Sequence, residues 1–275
     1  MKTTTQKLLT GALIAAALAC PPVLAGEVLD RVMKNGVIKV ANDANWSPQS
    51  FLNDNNEMDG FDVDVAKDIA RRMGVKVEFV NPDWDVITAG NWSGRWDVSI
   101  GSMTPTEERA KALDFPAVYY YTPAAAAVHK DSSAKKPSDL TGKVVGVASN
   151  TTYEYYVLRE LEIFNGPPFE YLVTPSETYS LENTSVLLDD LRLGDGVRID
   201  GVIGNMPTML EAVKKGYPIR VLQPPVFYEP LAIATEKGDQ DFNDKLAAII
   251  GAMREDGTLV RLSQKWYGAD YAAVQ

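Results

Sequence analysis

The segment with the most evident chemistry is GSMTPTEERAKALDF, residues 101–115. Gly101 and Ser102 are small, so backbone N–H groups can approach a ligand closely there, and the Ser102 and Thr104 hydroxyls can donate hydrogen bonds to an anion. Arg109 follows in a predicted helical turn, and its planar guanidinium presents paired donors that match the two oxygens of a carboxylate. These residue types predict a binding site for a small carboxylic acid.

Arg109 has an alternative role as a surface residue that pairs with a neighbouring acid. The acids within reach along the chain are Glu107, Glu108 and Asp114. Residues 101–121 contain a small residue pair, Met103-Thr104, a further Thr, the Arg, an Asp-Phe pair and adjacent aromatics. This run resembles the carboxylate-binding segment of periplasmic solute-binding proteins of the polar amino-acid type, extracellular family 3, and the resemblance favours the binding role. The similarity covers residues 37–268.

The resemblance implies an α/β, two-lobed periplasmic-binding-protein fold of type II, in which each lobe is a sheet flanked by helices and two hinge strands join the lobes. The expected boundaries place residues 26–121 and 236–275 in the first lobe, and residues 122–235 in the second. The implied function is delivery of an amino acid or a related small polar carboxylate to the membrane permease of an ABC importer. We expect a monomer that needs no cofactor.

Two predicted loops of the first lobe carry further candidates. Asp43 and Trp46 follow a predicted strand, residues 36–40, and ligands of open α/β sheets lie beyond the carboxyl ends of strands. Trp84 follows the next predicted strand, residues 75–80. The resemblance gives Asp43 and Trp46 binding roles and places Trp84 in a second stacking position. Two indole walls would favour a flat or cationic side chain. The alternative for Trp46 is that it covers the core.

A candidate anion site in the second lobe is the segment Ser149-Asn-Thr-Thr152. It follows a predicted strand and precedes a helix that is predicted to run toward Leu161. A helix N-terminus with hydroxyl groups binds anions well. The resemblance assigns this segment, and Thr151 and Thr152 in particular, to the other side of the ligand carboxylate. Simple N-capping is the alternative.

One position departs from the family pattern. Relatives usually have an aspartate at the position of Asn205, where it receives the ammonium group of an α-amino acid. An amide offers a hydrogen bond but no ion pair, and the loss is a few kcal/mol if the ammonium is buried. Asp43, or Glu229 on the predicted return strand at residues 226–235, is a candidate to supply the missing charge.

The run GFDVD, residues 60–64, is the most recognisable signature of the same family. It opens a predicted helix with Asp62 as N-cap and Gly74 as the stop. We interpret Asp62 and Asp64 as structural acids of a first helical turn, where they stabilise the helix dipole, and reject a metal pair. Trp92 and Trp96 are predicted to pack in the core.

The amino-terminal residues 1–25 read as a cleaved signal peptide, which predicts a periplasmic protein. Lys2 and Lys7 precede an apolar run at residues 8–19 that is too short for a stable membrane anchor, and Val-Leu-Ala before Gly26 suits cleavage. Lipid attachment at Cys20 is the alternative, but the residues before Cys20 are a poor match to a lipobox.

Charge and composition exclude several classes. Removal of Lys2 and Lys7 changes the net charge from −10 to −12, and no dense basic cluster is present, which argues against nucleic acid as a partner. Cleavage also removes the one cysteine, and His129 is the one histidine, so we expect no structural or catalytic metal site.

Two functions from different classes fit these observations. The first is a receptor that binds a solute between two lobes without catalysis. The second is a periplasmic enzyme on the same fold, such as a dehydratase acting on a cyclic carboxylic acid. Such an enzyme needs a general acid or base with a tuned pKa in the cleft, for which Glu229 and Asp43 are the candidates. Neither has an evident catalytic partner in the sequence, so we favour the receptor.

Overall fold

The computed structural model describes residues 26–273, so the predicted signal peptide lies outside the described residues. Its helices are α1 Glu27–Asn35, α2 Phe61–Met73, α3 Trp84–Thr88, α4 Thr152–Leu158, α5 Thr184–Leu191, α6 Met206–Lys214, α7 Gln240–Glu255 and α8 Thr258–Tyr267. Its strands are β1 Val37–Ala41, β2 Asn45–Trp46, β3 Ser50–Leu52, β4 Met58–Asp59, β5 Lys76–Val80, β6 Val98–Met103, β7 Leu113–His129, β8 Val144–Ala148, β9 Glu177–Leu181, β10 Gly201–Asn205, β11 Ile219–Val221 and β12 Phe227–Glu236. Short 3₁₀ helices form at Arg109–Lys111 and Pro137–Leu140.

Two long antiparallel strands, β7 and β12, run through both lobes and join them. In the first lobe the strand order is β5-β1-β6-β12-β7, with β1 parallel to both β5 and β6. In the second lobe β9, β8 and β10 are parallel, β10 pairs with β7, and β11 pairs with the end of β7. Strands β2, β3 and β4 form a separate small sheet in the first lobe. Each lobe therefore has a mixed sheet, in which parallel strands are joined to the antiparallel strands that the two lobes share.

The helices cover these sheets and bury separate apolar cores. In the first lobe, Phe61 and Ile69 of α2 pack with Phe242 and Leu246 of α7 against the sheet. Trp92 and Trp96 are also buried there, which confirms their predicted packing role. In the second lobe, the small residues 124–128 of β7 alternate between two cores, one on each face of the sheet. Both faces of this strand are covered, so small side chains suit it.

Helix α2 begins differently from the prediction. Gly60, with a φ of 128°, is its N-cap, and a Cβ there would lie 2.3 Å from the carbonyl oxygen of Gln49. The prediction of Asp62 as the N-cap was wrong, because the chain passes so close to Gln49 that only glycine fits the cap position. Asp62 lies inside the first turn and is fully buried. The helix predicted to run toward Leu161 also ends earlier, at Leu158.

The Asp62 carboxylate is held by hydroxyl groups. Tyr119 Oη donates to Asp62 Oδ1 at 2.6 Å, and Ser102 Oγ donates to Asp62 Oδ2 at 2.7 Å. Ser102 also contacts the hydroxyl of Tyr120. Burial raises the pKa of Asp62 to about 7, although these two hydrogen bonds act in the opposite direction. Asp62 thus packs in the core behind Ser102.

Asp62 should make folding stability depend on pH. A carboxyl whose pKa is higher in the folded than in the unfolded chain contributes stability that is fully present below its ordinary pKa and is lost as the pH rises toward 7. From about pH 4.5 to about pH 7.5, urea unfolding should show Asp62→Asn gaining about 1 kcal/mol or more relative to the unmodified protein. Asp54→Asn, at an exposed position, is the control and should show a pH-independent difference. A pH-independent difference for Asp62→Asn as well would contradict this prediction.

Candidate functional site

A cleft lies between the lobes beyond the carboxyl ends of β1, β6 and β8. The empty space in and around it, including open solvent, is about 610 Å³. Nine of the residues singled out from the sequence line it: Asp43, Trp46, Trp84, Ser102, Thr104, Arg109, Thr151, Thr152 and Glu229. Seven further residues line it that the sequence did not single out: Asn45, Ala148, Tyr153, Glu182, Asn183, Thr184 and Ser185. Both lobes therefore contribute to one site.

Arg109 is buried in this cleft, with 4% of its surface exposed. Its Nη1 donates to the carbonyl oxygen of Thr104 at 3.0 Å, and its Nη2 donates to the carbonyl oxygen of Asn150 at 2.8 Å. Its Nε has no hydrogen-bond partner among the described residues. The salt bridges among residues 26–273 do not include Arg109, whereas Glu108 pairs with Lys111, so the surface alternative is wrong. Burial lowers the pKa of Arg109.

Aromatic rings surround the Arg109 guanidinium. Its central carbon lies 5.2 Å from the ring centroid of Trp84 and 5.9 Å from that of Tyr155. Trp84 Nε1 donates to the carbonyl oxygen of Asn150 at 3.0 Å. Trp46 and Trp84 both line the cleft, as predicted, but a cation of the protein itself already lies over Trp84.

Glu229 is the most buried acid that lines the cleft, with 2% of its surface exposed. Its Oε2 accepts hydrogen bonds from the hydroxyls of Thr104 at 3.0 Å and Thr152 at 2.6 Å. Its Oε1 accepts one from the hydroxyl of Tyr153 at 2.6 Å. Burial raises the pKa of Glu229, partly offset by these donors and by the charge of Arg109. The hydroxyls of Thr104 and Thr152 were predicted to donate to a ligand. In the structure both donate to Glu229 instead.

Other predicted hydroxyls also have partners within the protein. Ser102 donates to Asp62, as described above. Thr151 is the N-cap of α4: its Oγ1 accepts from the backbone N–H of Glu154 at 3.4 Å and donates to the carbonyl oxygen of Ala148 at 2.6 Å. The capping alternative for this segment therefore holds for Thr151, which also lines the cleft.

Four predicted residues do not reach the cleft surface. Gly101 and Met103 are buried within β6, and the backbone N–H of Ser149 donates to Leu181. Asn205 is fully buried, because its side chain is used between the lobes: Oδ1 accepts from Gln49 Nε2 at 2.6 Å and Nδ2 donates to Thr122 Oγ1 at 3.0 Å. The amide of Asn205 therefore connects the lobes without lining the cleft.

The missed lining residues carry only a weak sequence signal. Tyr153 directly follows Thr152 in the same first turn of α4. Asn183 is the N-cap of α5, with its side chain accepting from the backbone N–H of Val186, so residues 182–185 are recognisable as a helix start. Nothing in such a pattern shows that this helix start faces the opposite lobe.

Asp43 lines the cleft and is half-buried. Its Oδ1 accepts from the backbone N–H of Asn45 at 2.7 Å, and burial raises its pKa. Within residues 26–273, no group of three or more His, Cys, Asp or Glu side chains is arranged to hold a metal ion. The same part of the chain contains no helix long and apolar enough to span a membrane.

The lobes contact each other across the cleft through Asn150. Besides accepting from Arg109 and Trp84 through its carbonyl oxygen, Asn150 donates from Nδ2 to Asp85 Oδ1 at 2.9 Å and to Thr88 Oγ1 at 2.8 Å. A single residue of the second lobe thus bonds both to α3 and to the buried cation of the first lobe. The structure represents a closed arrangement of the lobes.

Comparisons with known proteins agree with this architecture. Residues 38–269 match the family described as bacterial extracellular solute-binding proteins, family 3. The L-cystine-binding protein TcyJ of Escherichia coli K12 is 31% identical over 246 residues, covering 88% of this chain and 87% of that protein. The L-arginine-binding protein of Pseudomonas aeruginosa is 27% identical over 271 residues, covering 95% and 96%.

Solved structures of amino-acid-binding proteins are also similar to this chain. An ancestral arginine-binding protein bound to arginine is 33% identical, with a TM-score of 0.72 over 85% of this chain and 99% of that chain. An ancestral amino acid-binding protein, a precursor of cyclohexadienyl dehydratase, is 31% identical, with a TM-score of 0.74 over 87% of this chain and 98% of that one.

Two α/β lobes joined by two long strands, with a cleft between them, define a solute-binding protein with the type II periplasmic-binding-protein fold. The predicted fold class is confirmed. The chain belongs to the bacterial extracellular solute-binding proteins of family 3, which confirms the resemblance seen in the sequence.

A charge substitution can test whether the contact between Asn150 and Asp85 favours the closed arrangement. Asn150→Asp would place two carboxylates at the 2.9 Å contact and disfavour the closed arrangement by about 1 kcal/mol or more at this partly exposed site. Small-angle X-ray scattering of the variant should give a larger radius of gyration than the unmodified protein.

The matched control is the double variant Asn150→Asp with Asp85→Asn, which exchanges donor and acceptor and restores the hydrogen bond. Its radius of gyration should return to that of the unmodified protein. Equal radii for all three proteins would show that this contact does not favour closure in solution.

Proposed function

We propose that this protein binds an amino acid or a related small polar carboxylate in the cleft between its lobes and delivers it to the membrane permease of an ABC importer. The observation that carries the proposal is the buried guanidinium of Arg109. It lies in the cleft with no acid in contact among the described residues, and a buried cation without a counter-charge is costly unless a ligand supplies an anion. A carboxylate offers two acceptors in the geometry of the guanidinium fork.

The relatives support the ligand class. Proteins similar over most of their length are named as binding L-cystine and L-arginine, and a related ancestral protein is described as bound to arginine. We carry over the shared class, an amino acid or similar carboxylate, and not a particular amino acid. Family membership supports the proposed periplasmic location and the proposed permease partner. We also keep the predicted lobe boundaries, residues 26–121 with 236–275 and residues 122–235.

Catalysis is the second candidate, because the cleft contains a buried acid with a raised pKa, Glu229. A dehydratase would need Glu229 to move a proton to or from a substrate. Its carboxylate oxygens instead accept from three hydroxyl groups, which is the arrangement of a fixed anion. We therefore propose binding without turnover. Mass spectrometry of small molecules released from gently purified protein, followed by incubation of each with fresh protein, distinguishes unchanged ligand from product.

Arg109→Ala should abolish the thermal stabilisation that a bound ligand gives, because loss of a buried charge-assisted pair weakens binding roughly 100-fold or more. The unliganded variant should stay folded, since the substitution removes a buried charge without an acid in contact. The measurement is a thermal-shift panel of L-amino acids, their derivatives and small organic acids.

Arg71→Ala is the matched control, because Arg71 is an exposed arginine of α2 that pairs with Asp68 outside the cleft. It should retain the full ligand-induced shift. If Arg109→Ala also retains that shift, Arg109 does not hold the ligand and the proposed site is wrong.

A further inference from the structure

Resting on the proposed function, we infer that Glu229 receives a positively charged group of the ligand, so that the ligand is a zwitterion whose cationic group lies close to its carboxylate. The cleft then recognises both charges of one small molecule. Glu229 takes the role that the family pattern assigns to the position of Asn205.

The inventory of acids in the cleft singles out Glu229. Three acidic residues line it: Asp43, Glu182 and Glu229. Glu182 is exposed and Asp43 is half-buried, whereas Glu229 is 2% exposed. A buried anion needs a cationic partner far more than a hydrated one does, because burial removes the water that would otherwise stabilise its charge.

Glu229 and Arg109 do not neutralise each other by direct contact. The ion pairs among the described residues do not include one between these two groups, although each charge influences the pKa of the other. Thr104 lies between them: its carbonyl oxygen accepts from Arg109 and its hydroxyl donates to Glu229. Thr104 therefore contacts the cation through its backbone carbonyl and the anion through its side-chain hydroxyl. The two charges lie on either side of one residue, which suits a ligand with a carboxylate and a cationic group close together.

Both groups also keep unused bonding capacity. A carboxylate has about four acceptor positions, two on each oxygen. Oε2 of Glu229 accepts from Thr104 and Thr152, whereas Oε1 accepts only from Tyr153, which leaves a position on Oε1. On Arg109, two nitrogens donate to carbonyl oxygens and Nε is without a partner among the described residues. An ammonium and a carboxylate would complete these two sets.

Asn205 is a poor receptor for a cation in this arrangement. Its oxygen accepts from Gln49 and its nitrogen donates to Thr122, and it does not line the cleft. The amide is also neutral. Glu229, on the long strand β12 that joins the lobes, is the buried anion that the cleft offers instead.

The first test needs only the unmodified protein. Isothermal titration calorimetry first finds which common L-amino acid, L-cystine included, binds most tightly. It then compares that ligand with the analogue that lacks the α-amino group, or both α-amino groups in the case of L-cystine. We expect the deaminated acid to bind roughly 30-fold more weakly or worse, because it leaves Glu229 without a cation. Equal affinity, or binding confined to acids without an ammonium group, would overturn the inference while leaving the proposed carboxylate receptor intact. If no amino acid or organic acid binds, both the inference about Glu229 and the proposed receptor function are wrong.

The second test uses Glu229→Gln, with Glu255→Gln on the exposed face of α7 as the control for loss of one negative charge. Glu229→Gln should bind the amino acid roughly 30-fold more weakly and the deaminated acid with little change, whereas Glu255→Gln should bind both like the unmodified protein. A variant that loses both ligands equally would indicate a general packing role and overturn the inference. Retained preference for the amino acid would overturn it too.

The pH dependence adds a readout that packing alone does not move. Because burial raises the pKa of Glu229, amino-acid affinity should fall as the pH drops through that raised value, since protonation removes the anion. The charged and titratable groups near Glu229 keep their charge states as the pH falls; they are Arg109, Tyr153 and Tyr120. Asp43, elsewhere in the cleft, also has a raised pKa. The fall should therefore be reduced in Glu229→Gln. A fall of equal size in the variant would assign it to Asp43 and count against Glu229.

Discussion

A guanidinium almost fully removed from water, without an acid in contact, is the constraint on which the rest of this cleft depends. Burying such a charge costs several kcal/mol unless other groups replace the lost hydration. Here two backbone carbonyl oxygens and the faces of Trp84 and Tyr155 replace part of it. One carbonyl, that of Asn150, comes from the opposite lobe. The environment of Arg109 is thus complete only when the lobes are closed and a further acceptor is present, and this links binding to closure.

The strands that join the lobes also take part in the chemistry of the site. Glu229 lies on β12 and pairs in register with Thr122 of β7, so the buried anion is part of the connection between the lobes. Its hydroxyl donors come from both sides, Thr104 from the first lobe and Thr152 and Tyr153 from the second. Rotation of one lobe against the other must therefore change the hydrogen bonds of Glu229. Few backbone torsions need to move for this, as is common in hinged domains.

The sequence predicted the fold class and the position of Arg109, Trp84 and Thr152 because these residues lie in contiguous motifs of the family. It did not predict the role of Asn150, whose partners are about 40 to 65 positions away in the other lobe, because local patterns carry no information on contacts across a cleft. Asp62 was taken for an N-cap since acids usually occupy first helical turns; its burial depends on Tyr119 and Ser102, which are distant in sequence. The strands β2–β4 have two or three residues each, too few to show a period.

The balance between open and closed forms follows from the same charges. In a closed cleft without ligand, the Nε of Arg109 has no acceptor among the described residues and Glu229 has no cation in contact, so both charges oppose the closure that the contacts of Asn150 favour. Moving a two-state equilibrium from 1:99 to 99:1 requires a ligand that prefers the closed form by about 5.5 kcal/mol, and a smaller shift requires less. Hydrogen bonds to charged groups contribute about 1.5–3 kcal/mol each, so about two to four of them supply such a preference. A carboxylate on Arg109 would supply up to two such hydrogen bonds and a cation on Glu229 a further one, so a ligand that meets both residues would favour closure more strongly than one that meets Arg109 alone.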